Sequence, residues 1–298
     1  MIRLKHLIQS PQVSVRQLDH EPEADHTDAE EEVCSNYAIN FVEAGSFRLG
    51  VQGKSWTLSS GCLFISQPGA VHRYTHPERR LSDVCLSVIY SESFAEESDH
   101  DHSIPSSLPV TIPPANRLAF LKFRLKHLVS DGYELALEDW ACELISAIRV
   151  RLRNTNRLYR ERQLSWYAER VEAARETFET RYTEPHSLAS IARSVGMSPF
   201  QFTRVFSELV GSPPHQYLLG VRLDQAVKML LDGRSVTETC FDVGFSNLSH
   251  FTRSFYRRFG CVPSLLKARR GGRALCDRET LPFKHARKCK ALDCTAND

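Results

Sequence analysis

Residues 243–260, VGFSNLSHFTRSFYRRFG, decide how this chain is read. Phe251, Phe255 and Phe259 recur every four residues and form one apolar stripe along a helix. Ser249, His250, Arg253 and Arg257 fall on the opposite, solvent-facing side. Gly244 permits the positive φ that ends a preceding helix, and Ser246 or Asn247 is suited to cap the next one. Helix, tight glycine turn and polar-faced helix is the order of a helix-turn-helix.

The same pattern occurs earlier in the chain. LASIARSVGMSPFQFTRVFSELVG (188–211) can be laid over VTETCFDVGFSNLSHFTRSFYRRFG (236–260). Gly196 matches Gly244 and Ser198 matches Ser246, an offset of 48. Thr203-Arg204, Phe206, Gly211 and Pro214 match Thr252-Arg253, Phe255, Gly260 and Pro263, an offset of 49. The extra residue falls at the start of the second polar-faced helix. Repetition at this level points to two copies of one supersecondary unit. Between them, Tyr217, Leu218, Val221, Leu223, Ala226, Val227, Leu230 and Leu231 fit a linking helix closed by Gly233. Such a helix, about 17 residues long, spans roughly 25 Å. Half-sites on one face of DNA repeat every ~34 Å, so one chain could insert two reading helices into successive major-groove segments.

In the first unit Phe202, Phe206 and Leu209 take the core, leaving Phe200, Gln201, Thr203 and Arg204 facing out. The expected DNA-contacting set is these four with Ser198, and Asn247, Ser249, His250, Arg253 and Arg257 in the second unit. Arg204 and Arg253 hold equivalent repeat positions, and an arginine can fork onto guanine O6 and N7 or clamp a phosphate. Arg257, one turn on, suits a phosphate, whereas Arg258 is expected to be a solvated charge. An outward Phe200 either meets a thymine methyl or packs against the first helix of its unit.

These blocks carry a resemblance. Residues 165–270 resemble the DNA-binding domain of the AraC/XylS family of transcriptional regulators, on LASIARSVGMSPFQFTRVFSELVGSPPHQYL, RLDQAVKMLL and VGFSNLSHFTRSFYRRFGCVPSLLK. Cys240 and Phe241 replace the family's usual alanine and small residues, and Leu266-Lys267 replaces its closing Tyr-Arg. The resemblance implies two helix-turn-helix units (188–209 and 236–259) that read double-stranded promoter DNA. It also implies a homodimer and makes RNA polymerase a further possible partner.

Composition agrees with a two-domain chain. Its 298 residues are 42% hydrophobic and 25% charged, with a net charge of +2. Residues 1–110 hold 8 Lys/Arg against 16 Asp/Glu, a net of −8, while residues 166–270 hold 14 against 10, a net of +4. An acidic front and a basic back place the polyanion at the back. No apolar run approaches the ~18 residues of a membrane span, and MIRLKHLIQSPQ lacks a signal-peptide core. A cytoplasmic bacterial protein without a membrane partner is therefore expected, nucleoid-associated when bound to DNA. Nine cysteines without a CxxC pair suggest reduced thiols. Cys276, His285, Cys289 and Cys294 match no zinc spacing, so residues 271–298 are expected to be a disordered tail.

The front half reads as a mobile acidic arm (1–32, from EPEADHTDAEEE) followed by a small barrel (33–112). Short runs rich in β-branched and aromatic residues break at Gly45, Gly53, Gly61 and Pro68-Gly69, and LSDVCLSVIY (81–90) supplies a further strand. The order SG-x5-Q-PG-x-x-H resembles the cupin-type sensor domain common in the AraC/XylS family. Metal cupins bring two histidines and a carboxylate from an HxH…E segment and another histidine after the PG turn. Here only His72 is present, and EAGSFRLGVQGKSW contains no histidine. One imidazole is too few for a catalytic metal, so neither metal nor cofactor is expected. The alternative of a cupin-type metal enzyme joined to a DNA-binding domain is set aside on that ground. A second alternative keeps the regulator but gives its front domain only a dimerising role.

His72 and His76 are placed on a barrel rim or strand end, with His72 the candidate effector contact. DHDH (99–102) reads as a solvated loop. Residues 113–154 read as two helices, Leu118, Leu121, Leu125 and Leu128 striping one, and Leu137, Trp140, Leu144 and Ile148 the other. They are expected to cover the barrel or, as often in the resembling family, to dimerise; a polar linker follows at 155–164. The expected fold class is α+β with two domains. A small antiparallel, cupin-like β-barrel followed by helices precedes an all-α domain with two helix-turn-helix units joined by a linker helix. The expected function is non-enzymatic: a sequence-specific regulator controlled by a small-molecule effector.

Overall fold

In YAINFVEA (37–44), Ile39 and Phe41 point to one side of a strand and Asn40 and Val42 to the other, yet all four are buried. A strand covered on both faces needs a layer on each, and the first unit supplies them. The computed structural model describes residues 2–20, 31–76, 82–96, 110–151 and 158–268. The chain divides into two compact units, Met1–Ser165 and Trp166–Asp298.

The first unit runs β1 (Ile2–Gln9), β2 (Val13–His20), β3 (Glu32–Val33), β4 (Tyr37–Ala44), β5 (Ser46–Val51), β6 (Lys54–Ser59), β7 (Leu63–Ser66), β8 (Val71–Thr75), β9 (Asp83–Tyr90), a short α1 (Glu92–Glu96), β10 (Thr111–Ile112), α2 (Asn116–Asp131) and α3 (Leu137–Arg151). One antiparallel sheet has the order β1-β2-β9-β4-β7-β10 and the other β3-β8-β5-β6. Val42, Phe47, Leu49, Val51, Leu58, Phe64 and Cys85 fill the space between them. On its other face the six-stranded sheet packs Val15, Ile39, Phe41, Leu86 and Val88 against Leu118, Leu121, Leu125, Trp140, Leu144 and Ile148 of the two helices. Trp140 Nε1 donates to the Leu121 carbonyl at 2.9 Å, so the largest side chain of this layer also locks α3 to α2. Glu43 takes Lys122 at 3.0 Å and Lys126 at 2.8 Å, a second tie between sheet and α2.

Two expectations are corrected here. The arm of residues 1–32 is not an arm over residues 2–20: β2 pairs with β9 along its whole length, and Val13 and Val15 are buried. The V-S-V-R-Q-L alternation was outweighed by its acidic neighbours, and residues 21–30 lie outside the described residues. The apolar stripes of residues 113–154 cover the chain's own sheet, the first of the two roles expected of these helices. Of the linker 155–164, residues 161–164 are the first turn of a helix. The DHDH loop (99–102), the tail (271–298) and residues 152–157 of the linker region also lie outside the described residues.

The second unit is helical. It comprises most of α4 (Glu161–Thr180), then α5 (Leu188–Ser194), α6 (Pro199–Val210), α7 (Pro214–Leu231), α8 (Val236–Asp242), α9 (Leu248–Phe259) and α10 (Pro263–Ala268). Leu223, Ala226, Val227 and Leu230 of α7 pack against Cys240, Val243, Phe245, Phe251, Phe255, Phe259 and Leu266. Phe202, Phe206 and Leu209 of α6 are buried likewise, with Phe206 edge-on to Phe178 of α4. Cys240 is thus a small core residue where the AraC/XylS pattern has alanine, and the ring of Phe241 turns outward, 55% exposed. Among the described residues no helix is long and apolar enough to cross a membrane.

Candidate nucleic-acid interface

The two helix-turn-helix units repeat bond for bond. Gly196 (φ 68°) donates to Arg193 O at 3.0 Å and Met197 to Ala192 O at 2.9 Å. In the second unit Gly244 (φ 84°) donates to Phe241 O at 3.0 Å and Phe245 to Cys240 O at 3.1 Å. Both are the paired closure of a helix by a left-handed residue, which glycine adopts without strain. Ser198 then caps α6 by accepting from the Gln201 amide at 3.3 Å. Asn247, not Ser246, caps α9 by accepting from the His250 amide at 3.0 Å. The additional residue of the second unit therefore lies in its turn.

The helix faces follow from the buried phenylalanines. On α9, Ser249, His250, Arg253 and Arg257 are exposed, with Asn247 at the cap. Tyr256, 58% exposed, shares that face. Its aromatic ring gives no polar signal in the sequence, but its place three residues beyond Arg253 marks the same side. On α6, Arg204 is exposed and Phe200 is 81% exposed, so Phe200 does not pack against α5. Gln201 and Thr203 are half-buried: Gln201 Nε2 donates to Tyr167 Oη at 3.3 Å, and Thr203 Oγ1 to Pro199 O at 2.8 Å. Glu208 stands on α6 where Arg257 stands on α9, at the offset of 49. The second face is the more cationic.

The arginines of this unit fall into two groups. Arg175 is bonded to Glu172, Glu179 and Tyr217, at 3.0, 3.4 and 3.0 Å. Arg222 donates to the carbonyls of Tyr182 and Glu184 at 2.7 and 2.9 Å. Arg234 meets Asp242 at 2.8 Å. Arg258, expected to be solvated, instead gives Asp224 three hydrogen bonds of 3.0, 2.8 and 3.0 Å. Arg204, Arg253 and Arg257, like Arg181 and Arg193 outside the two second helices, pair with no carboxylate among the described residues. Their charge stays available to a phosphate or a guanine edge.

Inside the sandwich of the first unit a polar row stands among apolar side chains. Ser87 Oγ donates to Asn40 Oδ1 at 2.6 Å, and Asn40 Nδ2 donates to Ser66 Oγ at 3.1 Å. His72 is 1% exposed, not on a rim, with Nδ1 3.1 Å from Tyr74 Oη. Burial holds its imidazole below the ordinary value and pushes the Tyr74 phenol well up. His76 is partly buried beside His20 and Asp83, with its side chain 9% exposed. Hydrogen-bonding groups within an apolar wall are the make-up of a small-molecule site.

Two family models match this chain. The model of the AraC-like ligand binding domain matches residues 19–118, and that of a helix-turn-helix domain matches residues 191–269. The virulence regulon transcriptional activator VirF of Yersinia enterocolitica is 36% identical over 87 residues, 29% of this chain and 32% of that protein. The HTH-type transcriptional regulator YbfI of Bacillus subtilis (strain 168) is 25% identical over 218 residues, 72% of this chain and 78% of that one. A solved transcriptional regulator with an AraC-type DNA-binding domain, from Chromobacterium violaceum, is 29% identical at a TM-score of 0.33, covering 36% of this chain and 96% of that one. The chain spans about a third of the length of VirF and of the other proteins that match at similar identity. The chain thus carries an AraC-like ligand binding domain ahead of a duplicated helix-turn-helix, an arrangement similar to that of AraC-type regulators.

Proposed function

We propose that the chain is a sequence-specific DNA-binding transcription regulator that reads a promoter with the exposed faces of α6 and α9. One observation carries this reading: Arg204 on α6 and Arg253 and Arg257 on α9 are exposed on the outward faces of the two second helices and pair with no carboxylate among the described residues. Arg204 and Arg253 serve as the equivalent base or phosphate contacts, with Phe200, Gln201 and Thr203 beside the first and Ser249 and His250 beside the second. Ser198 and Asn247 set the helix starts, and Arg257 holds a phosphate. A small molecule held between the two sheets, against His72 and the Asn40–Ser66–Ser87 row, governs this binding. Homodimerisation and contact with RNA polymerase belong to the same reading, and catalysis does not, since the relatives are named as regulators.

The test is selection of duplexes from a random pool by the full chain. The selected duplex is then titrated against Arg204→Ala and Arg253→Ala. A lost base contact lowers affinity for the selected duplex about 5- to 150-fold and leaves random DNA less affected. Wild-type binding by both variants would reject these faces as the interface.

A further inference from the structure

His20 ends β2, and its register partner across the β2–β9 pair is Asp83. His76 follows the last residue of β8, in the other sheet. His20 Nδ1 lies 3.1 Å and His76 Nε2 2.7 Å from the same atom, Asp83 Oδ1. The two imidazoles stack, with centroids 4.3 Å apart and planes 20° from parallel. The side chains are 12, 9 and 10% exposed for His20, His76 and Asp83, and their donor atoms all lie within 4.8 Å of one another.

We propose that His20, His76 and Asp83 form a binding site for one divalent transition-metal ion, clamping the two sheets together at this end of the sandwich. Donors about 2.0–2.2 Å from an ion stand roughly 3.0–3.4 Å apart in tetrahedral or octahedral geometry. The separations of 3.1 and 2.7 Å from Asp83 Oδ1 are already close to that spacing. A neutral imidazole offers its facing nitrogen once its proton sits on the other nitrogen, so metal binding needs only a change of tautomer. Two imidazoles and one carboxylate favour zinc, iron, cobalt or nickel over calcium or magnesium, which prefer oxygen. Three protein ligands leave a coordination position for water or an anionic small molecule. This site stands apart from the DNA faces and does not rest on the function proposed for them. It is also distinct from the lone His72 weighed in the sequence: its ligands stand at the end of β2, just after β8 and at the start of β9.

The experiment uses the full chain, stripped of metal with chelator and dialysed, then titrated with cobalt(II). Expected are one equivalent bound per chain, visible d–d absorption without thiolate charge-transfer bands, and displacement by zinc. Zinc at about 100 times its Kd should raise the melting temperature by roughly 5–10 °C. His76→Ala and, as a second variant at a strand end, His20→Ala should each weaken cobalt binding at least tenfold while circular dichroism stays that of the wild type. Absence of stoichiometric binding, thiolate charge-transfer bands, or undiminished binding in either folded variant overturns the site. If neither variant folds, the wild-type spectrum and stoichiometry decide alone.

Discussion

Arg253→Ala and Arg258→Ala should fail in opposite ways, although the two residues lie five positions apart on one helix. Arg258 is a structural ligand: it gives Asp224 of α7 three hydrogen bonds, and its guanidinium lies 5.6 Å from the Phe259 ring centroid. The pair is 35% and 27% exposed, so water screens it and the loss is about 0.5–1 kcal/mol. For a helical unit of this size that is roughly 3–6 °C of melting temperature. Arg253 is exposed and has no carboxylate partner among the described residues, so its loss should move stability by less than about 0.5 kcal/mol. Its effect belongs to DNA: about 1–3 kcal/mol on the selected duplex for a base contact. For a phosphate contact, affinity should fall on all sequences and the salt slope should shrink by about 0.9. The assay pairs thermal melts with titrations of selected and random duplexes at several salt concentrations. If Arg258→Ala cut the salt slope as much as Arg253→Ala, or if Arg253→Ala only lowered the melting temperature, the division of the arginines would be wrong.

Three further outcomes are expected. Gly244→Ala should cost at least twice what Gly196→Ala costs. Both glycines have positive φ, but a Cβ at 244 would stand 2.7 Å from Thr183 O and one at 196 meets nothing within 4 Å; equilibrium denaturation gives the two values, about 1 kcal/mol being expected for Gly196→Ala. Glu43→Gln should flatten the acid limb of stability. Burial raises the wild-type carboxyl, but Lys126 and Lys122 outweigh it and hold it below the usual range, so the stability it adds is present above the ordinary carboxylate value and lost as pH falls. His72→Gln should remove a loss of stability below about pH 6.5: burial lowers the wild-type imidazole, so on acidification the unfolded chain takes a proton that the folded chain refuses. Melts of wild type and variant between pH 5 and 8 read the difference.

The helical half was legible because its packing is local. Phenylalanines four apart fix a stripe, and the glycine in the turn fixes where one helix stops. The face of α9 followed directly, apart from Tyr256, whose aromatic character drew it away from a polar list. What the sequence hid depends on distant partners. Gln201 meets Tyr167, 34 residues away, and Arg258 meets Asp224, also 34 away, with no spacing rule joining either pair. In the front half, β2 was masked by the composition of its acidic neighbour, since partners on another strand decide whether so short an alternation forms a strand. His20 and Asp83 face each other only through the register of β2 on β9, which is set by the whole sheet.

The linking helix α7 is fastened by polar ties over residues 217–224. Tyr217 bonds to Arg175 and Glu179 of α4, Arg222 to the carbonyls of Tyr182 and Glu184, and Asp224 to Arg258 of α9. Ties of this kind oppose a hinge within that stretch. A single base pair inserted between the two contacted segments would turn the second by about 35° and shift it about 3.4 Å along the duplex. A helix so tied resists following that displacement by bending, which leaves the DNA to twist or one contact to be given up. Promoters served by this chain should tolerate changes in the letters between the two segments far better than changes in their number.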